Sequence, residues 1–122
     1  MSLPESEEQV LLLHNPRCSK SRATHELLTQ KGIAFEQQLY LEEPLTRAEL
    51  QEVGRRLGKP VGEWVRSRES AFAEAGLGAT ASEDELLDAV AEHPILMERP
   101  IVVRGSRAAI GRPPEGVMSL FE

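Results

Sequence analysis

The sequence predicts an α/β sandwich built around a mixed four-stranded sheet. A short apolar run, a helical pattern and a second strand candidate open the chain, and a β-hairpin with a short helix closes it. A crossover through a helix favours a parallel strand pair, whereas a hairpin is antiparallel, so the sheet is expected to be mixed. At 122 residues the chain has the length of a single domain.

The first three elements form a strand–helix–strand unit. Val10–Leu13 is an apolar run that ends before an Asn-Pro turn signal, which is typical of a buried strand. Residues Ser19–Lys31 follow a helical pattern, and Gly32 stands where a helix-ending glycine belongs. A second strand is predicted at Ala34–Tyr40. The apolar face of the helix is predicted to comprise Ala23, Leu27 and Leu28.

The middle of the chain is predicted to be helical, as an insertion of about residues 43–98. Thr46–Glu49 and Ser82–Glu85 both have the capping-box pattern, in which the first and fourth residues cap each other's backbone N–H groups. Apolar residues at helical spacing follow each box. Shorter helices are predicted at Pro60–Arg66 and Ser70–Ala75.

The last elements are a hairpin and a helix. Two short strands, Ile101–Val103 and Ala108–Ile110, flank a turn at Gly105-Ser106, and a helix is expected to open at Arg112–Glu115. The order β-α-β, helical insertion, β-β-α is the thioredoxin-like order. It predicts that the first strand lies between the second and the third.

The charge balance argues against a nucleic-acid-binding protein. The net charge is −6 and the isoelectric point is about 5.2, whereas binding to a phosphate backbone needs a basic surface. Arginine nevertheless supplies 11 of the 14 basic residues. Its planar fork of donors suits oxyanions, although a GC-rich genome would produce the same excess. A local anion site is therefore compatible with the composition.

The sequence predicts neither a metal site nor a disulfide nor a membrane span. Cys18 is the single cysteine, and His14, His25 and His93 lack the spacing of metal ligands. The apolar run Val10–Leu13 is far too short to cross a bilayer. The N-terminus is acidic where a signal peptide would be basic. We therefore expect a cytoplasmic protein.

Cys18 is the candidate catalytic residue. It lies between the first predicted strand and helix, where amide donors and the helix dipole lower the pKa of a thiol. The alternative is an inert buried cysteine, but the neighbouring residues form a polar, basic loop, so we expect a partly exposed, reactive thiol. Ser21 stands where a C-x-x-C pair has its second cysteine, so a resolving thiol must come from elsewhere. His14 either tunes the thiol or packs at the strand end.

The candidates for an anion pocket near the thiol are Arg66, Arg99 and Arg112. Arg99 precedes Pro100 at the third strand, where thioredoxin-like folds hold a cis proline that faces the reactive cysteine. Arg112 ends the hairpin and is expected on the same side of the sheet. A phosphatase-type loop is excluded, because it needs five residues between cysteine and arginine and only three separate Cys18 from Arg22. The arginines predicted to be surface charges are Arg17, Arg68, Arg104 and Arg107.

Six motifs resemble those of the glutaredoxin-linked arsenate reductase (ArsC-type) family. They are HNPRCSKSR at 14–22, LYLE at 39–42, VR at 65–66, HPIL at 93–96, RPIVV at 99–103 and GRP at 111–113. They occur in order from about Val10 to the C-terminus without large gaps. The Ser-Lys pair after Cys18 and the short C-terminal end are similar to the YfgD-like branch of the family.

The resemblance implies one thioredoxin-like domain over residues 1–122 with Cys18 as the nucleophile. The residues that it assigns to an oxyanion clamp are Arg66, Arg99 and Arg112, and the supporting residues are His14, Ser21 and Pro100. The implied activity is reduction of arsenate, with glutathione and glutaredoxin resolving the thiol–arsenate adduct and no bound cofactor. The alternatives are a glutathione-linked thiol oxidoreductase with another substrate and an Spx-like regulator that binds RNA polymerase. Ser21 and the arginines favour the enzyme.

Overall fold

The computed structural model describes residues 3–66, 69–78 and 81–121, and its contacts divide the chain into two units. The sheet unit comprises Met1–Glu43 and Arg99–Glu122, and the helical unit comprises Pro44–Glu98. The strands and α-helices are β1 (Val10–His14), α1 (Ser19–Gln30), β2 (Glu36–Leu39), α2 (Arg47–Leu57), α3 (Ser70–Glu74), α4 (Glu83–Glu92), β3 (Ile101–Arg104) and β4 (Arg107–Ile110). Short 3-10 helices cover Val61–Glu63, Pro94–Leu96 and Pro114–Phe121.

The sheet has the strand order β2-β1-β3-β4. β1 runs parallel to β2 and antiparallel to β3, and β3 and β4 form an antiparallel hairpin. Leu12 of β1 is in register with Gln37 on one side and with Val102 on the other. The predicted mixed four-stranded sheet and the central place of the first strand are therefore confirmed.

Helix α1 contributes to the core of the sheet unit through a face that shares Leu28 with the predicted one but not Ala23. Its buried residues are Ser21, Thr24 and Leu28, whereas Ala23 is exposed. The prediction of Ala23 as a core position is wrong because small polar side chains occupy the buried face. The buried hydroxyl of Thr24 has a hydrogen-bond partner there, because it donates to the carbonyl of Lys20 at 2.9 Å. The core cluster around this face comprises Val10, Leu12, Leu28, Val102, Val117 and Leu120.

The closing 3-10 helix is held to the sheet by a half-buried arginine. The Arg104 guanidinium donates to the carbonyl of Glu7 at 2.8 Å and to the carbonyl of Leu120 at 2.6 Å. It also lies 5.0 Å from the centre of the Phe121 ring. Arg104 is therefore a structural contact between both ends of the chain, and the prediction of a plain surface charge is wrong for it. Arg68 lies outside the described residues.

Both longer helices of the helical unit begin at the capping residues that the sequence predicts. Thr46 and Glu49 cap α2 reciprocally, and Ser82 and Glu85 do the same for α4, so both capping boxes are confirmed. The helix predicted at Pro60–Arg66 is reduced to a single 3-10 turn. It cannot continue because Val65 pairs with Met97 in an isolated antiparallel bridge.

Candidate active site

The thiol of Cys18 stands at the N-terminus of α1, directly after the loop that follows β1. Cys18 is the N-cap residue in an extended conformation, with φ −96° and ψ 124°. Its N–H donates to the carbonyl of Asn15 at 3.0 Å, and its own carbonyl accepts from the N–H of Arg22 at 2.9 Å. The first amide groups of the helix are thereby left to face the sulfur, at the positive end of the helix dipole.

The sulfur is more covered than the sequence predicted, because Cys18 is only 8% exposed. The expectation of a partly exposed thiol is wrong, although the polar neighbours that suggested it, Ser19 and Lys20, are themselves exposed. Burial raises the pKa of Cys18. Hydrogen bonds from the backbone N–H groups of Ser21 and Lys20, together with the charge and hydrogen bond of Arg99, outweigh burial and lower the pKa below its usual value. The thiolate is therefore more populated near neutrality than in a free cysteine.

A buried serine and histidine brace the first turn of α1. The Ser21 hydroxyl lies 2.7 Å from His14 Nδ1 and accepts the N–H of Asn15 at 3.0 Å. Burial lowers the pKa of His14, and the charges of His25 and Arg22 lower it further. A neutral imidazole thus contacts the hydroxyl of Ser21, while the backbone N–H of the same serine faces the sulfur. His14 is connected to the thiol through Ser21.

Arg99 and Pro100 lie at the start of β3. The Arg99–Pro100 peptide bond is cis, as the sequence predicted. Pro100 is buried, and its carbonyl accepts the N–H of Gly111 at 2.9 Å. The half-buried Arg99 is the cationic side chain that hydrogen-bonds the sulfur of Cys18. One fixed positive charge therefore stands directly at the candidate nucleophile.

Arg112 follows β4 and lies beside Arg99. Its side chain is exposed, and its Nη1 atom is 3.4 Å from the carbonyl oxygen of Arg99, to which it donates. The Arg112–Pro113 bond is also cis, which the sequence analysis did not predict. The sheet unit thus brings two guanidinium groups to the same end of β3, as an anion-binding arrangement requires.

Arg66 belongs to the helical unit, where its side chain is only 16% exposed. Nη1 donates to the carbonyl of Ile95 at 3.1 Å, and Nη2 forms an ion pair with Glu69. The N–H of Arg66 also donates to the carbonyl of Leu96, so backbone and side chain are both held. Its participation in a three-arginine clamp stays a prediction.

Asn15 stabilises the loop between β1 and α1, a role that is not among the sequence predictions. Its Oδ1 accepts the N–H of Arg17 at 3.0 Å, its own N–H donates to Ser21, and its carbonyl accepts from Cys18. An asparagine side chain that bonds the backbone two residues later is the signature of an Asx turn. The Asn-Pro pair therefore signals an Asx turn in addition to the end of a strand.

Across residues 3–66, 69–78 and 81–121, no helix combines the length and apolar character needed to cross a bilayer. The same residues bring no three His, Cys, Asp or Glu side chains together in a way that could hold a metal ion. The absence of a bound cofactor stays a prediction.

The fold and the thiol at the start of α1 define a thioredoxin-like protein with a single cysteine. A model of the ArsC family matches residues 13–120, and the chain belongs to this family. The match includes Cys18 and the three arginines of the predicted clamp, Arg66, Arg99 and Arg112.

Several relatives are similar over nearly the whole chain. The YfgD protein of Escherichia coli strain K12 is 44% identical over 115 residues, which cover 93% of this chain and 97% of that protein. A Haemophilus influenzae protein named arsenate reductase is 42% identical over 114 residues, covering 92% and 98%. The structure of an arsenate reductase from Vibrio cholerae superposes with a TM-score of 0.87 at 43% identity and covers 92% of this chain and 97% of that one.

Proposed function

We propose that the protein is an arsenate reductase that uses Cys18 as its nucleophile and takes reducing equivalents from glutathione and glutaredoxin. The observation that carries the proposal is a sulfur that accepts hydrogen bonds from two helix N–H groups and from Arg99, in a chain of the ArsC family. Relatives that carry the name arsenate reductase support the same substrate. Because the cycle needs reduced thiols, we place it in the cytoplasm, where it would serve arsenic detoxification.

The reaction begins with attack of the Cys18 thiolate on arsenic. A sulfur–arsenic(V) bond forms, one arsenic–oxygen bond breaks, and the oxygen leaves as water after taking up protons. Glutathione then adds through its sulfur, and a second oxygen leaves as water. Arsenic stays in the pentavalent state through both substitutions.

Reduction follows when a glutaredoxin thiolate attacks the sulfur of the bound glutathione. A disulfide forms between glutathione and glutaredoxin, and the electron pair of the arsenic–sulfur bond reduces arsenic(V) to arsenic(III). Water then displaces the Cys18 thiolate and arsenite leaves. In total, arsenate and two thiols give arsenite, one mixed disulfide and one water. Because Cys18 is the single cysteine, both resolving thiols come from outside the chain.

Fixed positive charge is what the first step needs most. Arsenate and a thiolate are both anionic, so they repel each other unless cations offset their charges. Arg99 hydrogen-bonds the sulfur, and Arg112 donates to the carbonyl of Arg99, which supports the proposal that both bind the incoming oxyanion. Guanidinium groups also orient a tetrahedral anion when they bind two of its oxygens. Arg66 completes the proposed clamp.

The test is a coupled assay that follows NADPH oxidation with arsenate, glutathione, glutaredoxin and glutathione reductase. We expect arsenate-dependent oxidation that Cys18→Ser abolishes and that the exposed neighbouring variant Ser19→Ala retains. Arsenate-independent thiol exchange that still requires Cys18 would instead indicate a thiol oxidoreductase with another substrate. Full activity of Cys18→Ser would overturn the proposed nucleophile.

A further inference from the structure

The sheet unit also has a cavity beside the loop that joins β1 to α1 and precedes Cys18. Its volume is about 400 Å³, within the range of roughly 300–1,000 Å³ that small-molecule sites occupy. It opens where β1 and β2 end and where α1 begins. The residues that line it are His14, Pro16, Arg22, His25, Gln37 and Leu39.

The lining of this cavity is cationic and polar. Arg22 supplies a permanent positive charge, and none of the six lining residues is acidic. One guanidinium N–H group of Arg22 donates to the carbonyl of Pro16 at 2.9 Å, which leaves most of the five guanidinium donors of Arg22 for a ligand. In the part of the chain that the structure describes, Arg22 forms no ion pair with a carboxylate. The rings of His14 and His25 stand 5.3 Å apart between centres, so the two imidazoles are neighbours in the cavity wall.

The cavity and the thiol share the first turn of α1. The N–H of Arg22 donates to the carbonyl of Cys18. His14, which lines the cavity, contacts the hydroxyl of Ser21, and the backbone N–H of Ser21 hydrogen-bonds the sulfur. Arg99 and Arg112 do not line the cavity. Cys18 does not line it either, so a ligand in the cavity and an oxyanion held by these two arginines would occupy different positions, connected through the first turn of α1.

We propose that this cavity binds the carboxylate-bearing part of a peptide-like thiol co-substrate, with Arg22 as the residue that selects it. The inference rests on the proposed function, because that cycle needs an external thiol to reach an adduct on Cys18. A carboxylate pairs with Arg22, the Gln37 amide can bond a peptide group, and Pro16 and Leu39 offer apolar contact. A neutral thiol lacks the group that the cavity recognises.

Binding can be tested without any redox step. S-methylglutathione, which cannot form a disulfide, is titrated into the protein and followed by the NMR signals of the His14 and His25 rings. We expect Arg22→Ala to weaken binding about tenfold, as loss of a charge-assisted carboxylate contact does, and Arg22→Lys to restore part of it. Arg17→Ala is the matched control, because Arg17 is exposed on the same loop and does not line the cavity. Equal affinity of Arg22→Ala and wild type overturns the inference.

A kinetic arm separates this inference from the proposed function. In the coupled assay we expect Arg22→Ala to raise KM for glutathione about tenfold without changing KM for arsenate. Absence of arsenate reduction in the wild type, together with Arg22-dependent binding of S-methylglutathione, would contradict the proposed function alone. Arsenate reduction with an unchanged KM for glutathione in Arg22→Ala would contradict the proposed role of the cavity but not the proposed function. Competition of inorganic arsenate for the same ring signals would assign the cavity to the oxyanion and overturn the inference.

Discussion

Gly111 fills the narrow space between α1 and Pro100, so a single methyl group there should disturb the scaffold of the site. A Cβ atom on Gly111 would lie 2.6 Å from Thr24 Oγ1 and 2.7 Å from Pro100 Cγ, well inside van der Waals contact. Both neighbours are buried, and Thr24 is held by its bond to the carbonyl of Lys20. Overpacking of this kind costs about 1–3 kcal/mol. We expect Gly111→Ala to lose that much free energy of unfolding.

The measurement is urea denaturation followed by circular dichroism. Gly78→Ala is the matched control, because no atom lies within 4 Å of a Cβ there. Adding Thr24→Ala to Gly111→Ala should recover part of the loss, since the hydroxyl contact disappears while the Pro100 contact remains. Iodoacetamide alkylation of Cys18 should slow in Gly111→Ala, because a displaced Pro100 shifts Arg99 beside it. Stability of Gly111→Ala within about 0.5 kcal/mol of wild type, the usual range of harmless surface changes, would refute the reasoning.

Three further predictions concern the thiol, the arginines and a helix cap. Arg99→Ala should raise the pKa of Cys18, because a cation that favours the thiolate is lost, and the change is measurable as a shift of thiolate absorbance with pH. At a pH below the wild-type pKa, alkylation of Cys18 should therefore be slower. Arg66→Ala, Arg99→Ala and Arg112→Ala should each reduce kcat/KM for arsenate at least about tenfold, about 1.4 kcal/mol, and three normal variants would refute the clamp. Thr46→Ala should lose about 1 kcal/mol of unfolding free energy in urea, because its hydroxyl caps α2.

Elements with short-range signals could be predicted from the sequence. The capping boxes at Thr46 and Ser82 depend on residues three positions apart, and the hairpin of β3 and β4 pairs residues at most nine positions apart. The place of Cys18 at the start of α1 also followed, because an apolar strand and a helical pattern flank it. Such features need no knowledge of distant contacts.

Features that depend on distant contacts could not be predicted. Cys18 is buried although its neighbours are polar, and Arg99, which hydrogen-bonds its sulfur, lies 81 positions later in the chain. Of the buried face of α1 the sequence predicts Leu28 but not Ser21, because the hydroxyl of Ser21 bonds His14 rather than solvent. The predicted second strand is shortened to Glu36–Leu39. Hydropathy alone cannot distinguish a satisfied buried hydroxyl from an exposed one.

The covering of Cys18 itself restricts what the thiol can react with. Hydrogen-bond donors border the sulfur, namely the N–H groups of Lys20 and Ser21 and the guanidinium of Arg99. An anionic electrophile gains from these donors as it approaches, whereas a neutral reagent of the same size does not. The hydroxyl of Ser21 already bonds His14 and Asn15, so the position that holds a second cysteine in C-x-x-C proteins here holds the loop together. A serine at position 21 therefore stabilises the loop but cannot form a disulfide with Cys18.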